Sequence, residues 1–163
     1  MSYYKRKAFT MIELVFVIVV LGILAAIAIP KLSSTRDDAQ IAKGRSDISA
    51  IRAAIISERQ GRLMQGQSNY ISRLNVSGTT TVLFDDNDTN ATNGTLLQYG
   101  ITTQDDTNGK WDNSVGGSAT AGWTYIYKIN NVNTTFTYTP ATGRFTCDTT
   151  DGTYGTQCKL LIN

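Results

Sequence analysis

The sequence predicts an α+β fold: a long N-terminal helix, membrane-spanning in its first half and amphipathic in its second, packed on a small antiparallel β-sheet. Three observations carry this. Residues 9–29 are almost wholly apolar. Ile41, Gly44, Ile48, Ile51 and Ile55 then recur at steps of three and four, the spacing of one helix face. From about residue 80 the pattern changes to strands: Trp123, Tyr125, Tyr127 and Ile129 alternate along one run, and Phe136 and Tyr138 alternate with Thr135, Thr137 and Thr139 along the next. The overall apolar content of 41% therefore averages a greasy front and a polar, Thr- and Asn-rich body.

The apolar run spans 21 residues. At a rise of roughly 1.5 Å per residue it makes a helix of about 31 Å, the thickness of the hydrocarbon core of a bilayer. Lys5, Arg6 and Lys7 precede it, and no acid comes before Glu13. Positive charge on that side keeps the N-terminus cytoplasmic and sends the body across the membrane. A secretory signal peptide would share these features, with Ala26-Ile27-Ala28 as its cleavage site. So would a plain single-pass anchor. Neither has a use for Glu13, because a carboxylate in hydrocarbon costs about 2.5–3.5 kcal/mol and is kept where it has a partner.

Ala8-Phe9-Thr10-Met11-Ile12-Glu13-Leu14 resembles the processing motif of type IV prepilins and type II secretion pseudopilins. Ala8 stands where most members have Gly, and Met11 where Leu is more usual. The resemblance implies that a prepilin peptidase cuts between Ala8 and Phe9 and N-methylates Phe9. It also implies that Glu13 neutralises the Phe9 amine of a neighbouring subunit. Gly22 and Pro30 match the family's flexible helix segment, where the helix continues past the proline; in most proteins a proline there would end it. The expected domains are a leader peptide (1–8), a transmembrane and polymerisation helix (9–29), its amphipathic continuation (30–62) and a globular β-rich head (63–163). The partners implied are identical and related pilin subunits in a helical homopolymer, the peptidase, an assembly platform with its ATPase, and the bacterial inner membrane. The expected location is that membrane for the single-pass precursor, then a periplasmic or extracellular filament.

Within the head, Gly61 is the expected helix end. Asn130-Asn131 and Pro140-Ala141-Thr142-Gly143 are the expected turns, residues 144–147 a third strand, and residues 159–162 a short final strand. Cys147 and Cys158 read as a disulfide in an oxidising compartment or as two free thiols; the membrane segment, which exports the body, favours the disulfide. A C-terminal disulfide loop resembles that of type IV pilins, whereas major pseudopilins more often hold this region with calcium.

The chain has no histidine, which removes the commonest general base and metal ligand. Three of its fifteen basic groups lie in residues 5–7; without residues 1–8, twelve bases face thirteen acids, a formal charge of −1. No basic stripe remains, so nucleic-acid binding is not directly indicated. There is no nucleotide loop, nucleophile–base pair or metal cluster. We therefore expect no catalytic residues, no cofactor and no enzyme activity. A secreted hydrolase would need an acid–base pair in the body. A membrane-tethered binding module would tolerate loss of Glu13. Residues 85–90, and Asp105-Asp106 ahead of Trp111-Asp112, space carboxylates as calcium loops do, but without the Gly and distal Glu of an EF-hand; solvated loops are the expectation. Asn75, Asn87, Asn90, Asn93 and Asn133 each open an Asn-x-Ser/Thr triplet, which arises by chance in a Thr- and Asn-rich chain; Asp two residues before Asn87 and Asn90 resembles the extended acceptor pattern of some bacterial N-glycosylation systems.

Overall fold

The computed structural model describes residues 9–75, 78–79, 81–84 and 96–163. The chain divides into two compact units, Met1–Arg36 and Asp37–Asn163.

In the first unit the chain enters helix α1 (Met11–Met64). Thr10 supplies the cap: its carbonyl accepts from the Leu14 amide at 3.2 Å and its hydroxyl from the Glu13 amide at 3.3 Å. The helix continues through Pro30. Proline supplies no amide there, and one turn on, the Thr35 hydroxyl donates to the Lys31 carbonyl at 3.0 Å.

In the second unit, α1 contributes one apolar face. Ile48, Ile51 and Ile55 are buried and Ile41 packs against the same core. The helix does not stop at Gly61. It runs to Met64, and Gly66, at φ +79, makes the reversal that only a residue without Cβ accepts readily. The Gly66 and Gln67 amides close that end by donating to the Leu63 and Arg62 carbonyls at 3.0 and 2.9 Å.

The strands are β1 (Gly78–Thr79), β2 (Val82–Leu83), β3 (Ile101–Thr102), β4 (Ser114–Ser118), β5 (Gly122–Ile129), β6 (Val132–Thr139) and β7 (Arg144–Cys147). They form a five-stranded sheet in the order β1-β4-β5-β6-β7 and a two-stranded β2-β3 ribbon, every pair antiparallel. The β5–β6 hairpin pairs Trp123 with Tyr138 and Ile129 with Val132. Its turn is Asn130-Asn131, both at positive φ, as the twist of a two-residue hairpin demands. The period-two pattern puts Tyr125, Tyr127, Ile129, Phe136, Tyr138 and Phe145 into the core with the α1 stripe. At their centre is Trp111, whose ring lies 5.1 Å from Tyr127 and 5.7 Å from Phe136.

Residues 159–162 are not a strand. They belong to helix α2 (Gly155–Ile162), which buries Gly155, Cys158 and Leu161 at helical spacing. A four-residue apolar run does not distinguish the two states by itself.

Candidate assembly segment

Residues 9–32 present their described side chains to the outside of the isolated chain: Phe9 is 81% exposed and Met11 83%. An apolar surface of this size requires lipid or other helices to cover it. Glu13 lies in the first turn of α1, where the helix dipole favours an anion. Among the described residues no cation pairs with it. Thr10, three residues earlier, forms the cap leg of a capping box whose Ser/Thr-x-x-Glu signature is present in the sequence but which the sequence reading passed over. Phe9 and Glu13 thus bracket one helical start, while Ala8 lies outside the described residues. Gly22 and Pro30 lie further along the same helix, and a Cβ at Gly22 would meet nothing within 4 Å.

At the other end of the chain Cys147 and Cys158 are joined in a disulfide that ties the end of β7 to α2. Acidic side chains shape the loop between them. Asp148 accepts from the Thr150 amide and hydroxyl at 2.8 and 2.6 Å. Those two bonds, the hydroxyl's first, hold its carboxyl below the usual range. Asp151 accepts from the Thr153 and Tyr154 amides.

The acidic side chains of residues 105–112 are similarly engaged in the fold. Asp105 accepts from the Asn113 amide and carboxamide at 3.0 and 2.7 Å, Asp106 pairs with Lys128, and Asp112 accepts from the Ser114 amide and hydroxyl. No group of three metal-ligating side chains occurs among the described residues. Residues 85–90 and the triplets at Asn87, Asn90 and Asn93 lie outside those residues. Asn133 is exposed on β6. Asn75 is only 2% exposed, and its carboxamide oxygen accepts from the Phe84 amide at 3.0 Å, so the folded chain does not offer it for modification.

A family model described as the prokaryotic N-terminal methylation motif matches residues 3–29. Fimbrial protein Q of Moraxella bovis is 32% identical over 146 residues, covering 72% of this chain and 91% of that protein. Type II secretion system core protein G of Pseudomonas aeruginosa is 43% identical over 51 residues, covering 31% of this chain and 36% of the relative. Fimbrial protein EcpB of Eikenella corrodens is 43% identical over 54 residues, covering 33% of this chain and 34% of its own. The chain thus spans about a third of the length of core protein G and nine-tenths of fimbrial protein Q. No solved structure gives a significant match. With the methylation motif in register and a fimbrial protein matched over nearly its whole length, the chain belongs to the type IV pilin and type II secretion pseudopilin family.

Proposed function

We propose that this chain is a structural, non-catalytic subunit of a pilus or pseudopilus. It enters the bacterial inner membrane as a single-pass precursor and is cut between Ala8 and Phe9 by a prepilin peptidase that also methylates Phe9. An assembly platform and its ATPase then draw it into a periplasmic or extracellular filament with identical and related subunits. The observation that carries this is Glu13, a carboxylate with no ion-pair partner among the described residues, in the first turn of an exposed apolar helix. Cleavage would create an amine four residues before it. The Glu13 of one subunit and the Phe9 amine of the next are each costly in an apolar setting and tolerable as a pair. The length of the match to fimbrial protein Q and the C-terminal disulfide favour a pilus. The core protein G relatives keep a pseudopilus dedicated to type II secretion as the second reading.

The test is Glu13→Ala in a host that assembles the wild-type chain. Leaving the Phe9 amine without its counter-charge costs about 3–5 kcal/mol, so filament number falls by more than about tenfold. Precursor level in the membrane and mature mass, with N-methyl-Phe9 at the terminus, stay as in wild type. Wild-type filaments from correctly processed Glu13→Ala would defeat the proposal.

A further inference from the structure

A groove of about 320 Å³ opens between α1 and the edge strand β7, lined by Arg52, Ile56, Gly143, Arg144, Phe145 and Thr146. Its character is apolar with two cations and no acid. Ile56 is 59% exposed on a helix that buries Ile51 and Ile55 beside it. The Arg52 Nε donates to the Phe145 carbonyl at 3.0 Å, which fixes its guanidinium against the strand edge. Arg144 is exposed and makes no ion pair among the described residues.

The same unit carries a complementary feature. Asp37 and Asp38 are exposed on α1, and no base stands three or four residues to either side of them, so the helix offers them no partner of its own. Next to Asp38 on that face, one turn on, is exposed Ala42, a small apolar surface for a protruding Ile56.

We infer that the Arg52–Arg144 groove receives the Asp37-Asp38 turn of α1 from a second copy of this chain. The inference rests on the filament reading, in which parallel α1 helices pack side by side. Asp38 and Arg52 are separated by fourteen positions, about 21 Å along a helix axis. Phe9 and Glu13 are separated by four, about 6 Å. The two contacts therefore join each subunit to different neighbours at different axial offsets, as head-to-tail packing in a helical polymer requires. The Glu13 contact sets register inside the apolar bundle. The groove contact ties α1 of one subunit to the sheet edge of another and places like charges against any wrong register.

The experiment uses the full-length chain in a host where wild type builds filaments. Arg144→Asp alone and Asp38→Arg alone each lower filament yield by about tenfold. The combined charge swap restores at least half of the wild-type yield. As a readout independent of folding defects, Asp38→Cys with Arg144→Cys gives a ladder of covalent multimers from oxidised filaments, and neither single cysteine does. Single variants that assemble like wild type, a swap no better than its parents, or filaments that form without the ladder each overturn the inference. A swap that fails while Arg144→Asp still weakens the filaments assigns the groove to another occupant, which also overturns it. In all of these outcomes the filament reading survives as long as Glu13→Ala lowers filament number by more than about tenfold. If wild type forms no filament, that reading falls and the inference falls with it.

Discussion

Gly44 of α1 lies so close to Leu161 of α2 that a Cβ added to it would sit 2.7 Å from Leu161 Cδ2 and 2.8 Å from Tyr127 Cε1. Neither neighbour has room to yield. Leu161 is 2% exposed, and the Tyr127 ring is fully buried and anchored by its hydroxyl, which donates to the Gln40 carbonyl at 2.8 Å. Gly44 belongs to the buried stripe because it lets α1, β5 and α2 approach, and contributes no side chain of its own.

Gly44→Ala should therefore destabilise the Asp37–Asn163 unit although alanine is the better helix former. Overpacking costs about 1–3 kcal/mol and the propensity gain returns no more than about 1 kcal/mol. Gly61→Ala is the control, since a Cβ there meets nothing within 4 Å and the helix runs past it. It should stabilise by up to about 1 kcal/mol. Urea unfolding of both variants checks the pair, and a Gly44→Ala protein as stable as its parent would show the contact to be slack.

Removing the disulfide should cost more than either. An eleven-residue separation corresponds to about 3 kcal/mol in the chain-entropy model. The eight residues of α2 are too few to be helical without the sheet and the cross-link. Replacing both Cys147 and Cys158 with Ser should lower stability by about 2–4 kcal/mol and speed amide exchange first in α2. Thermal melts with and without reductant measure the first effect; coincident melts would contradict it.

The family at the front of the molecule was legible because its information is local: the N-terminal methylation motif and an apolar run, both within residues 3–29. The α1 stripe and the β5–β6 hairpin were legible for the same reason, each a period repeated within one segment. The rest depended on distant partners. Strand β4, Ser114-Val115-Gly116-Gly117-Ser118, has little intrinsic strand preference and is held by its pairing with β5. Trp111 read as the neighbour of an acidic loop, yet it is fully buried, with its indole nitrogen donating to Asp47 at 3.0 Å. Helix α2 depends on Cys158 and Leu161 finding the core. In the candidate assembly segment the capping role of Thr10 emerged only with the geometry, where its hydroxyl accepts from the Glu13 amide.

Asn75 supports a strained residue. Phe84 is fully buried, adopts φ 63, and donates its amide to the Asn75 carboxamide oxygen. A non-glycine residue in that region costs about 1–2 kcal/mol, so the bond helps hold a conformation the chain otherwise disfavours. Asn75→Ala should lose about 1–3 kcal/mol, since the buried amide is left without its acceptor. Asn75→Asp retains an acceptor and, measured at acid pH where its carboxyl is neutral, should lose less. Chemical denaturation of the two variants separates a hydrogen-bonding role from packing alone: equal losses would sink the assignment. An intact mass showing no glycan at Asn75 is the companion expectation.

Alkaline pH should unfold the body through its tyrosines. Burial raises the pKa of Tyr125, Tyr127 and Tyr138, helped at Tyr127 by the Asp47 charge and at Tyr125 by the Tyr138 hydroxyl. Because the folded values lie above the unfolded value of about 10, the neutral forms contribute stability that is complete below that pH and lost as pH rises through and beyond it. Above pH about 10 each of the three should remove up to about 1.4 kcal/mol per pH unit. Tyr127→Phe sacrifices the bond to the Gln40 carbonyl, about 1 kcal/mol at neutral pH, but removes one titrating group and so flattens the alkaline decline. Melting temperatures of parent and variant from neutrality to pH about 11, followed with tyrosinate absorbance, give the comparison. A variant whose decline runs parallel to the parent's would mean that Tyr127 does not contribute to the alkaline transition.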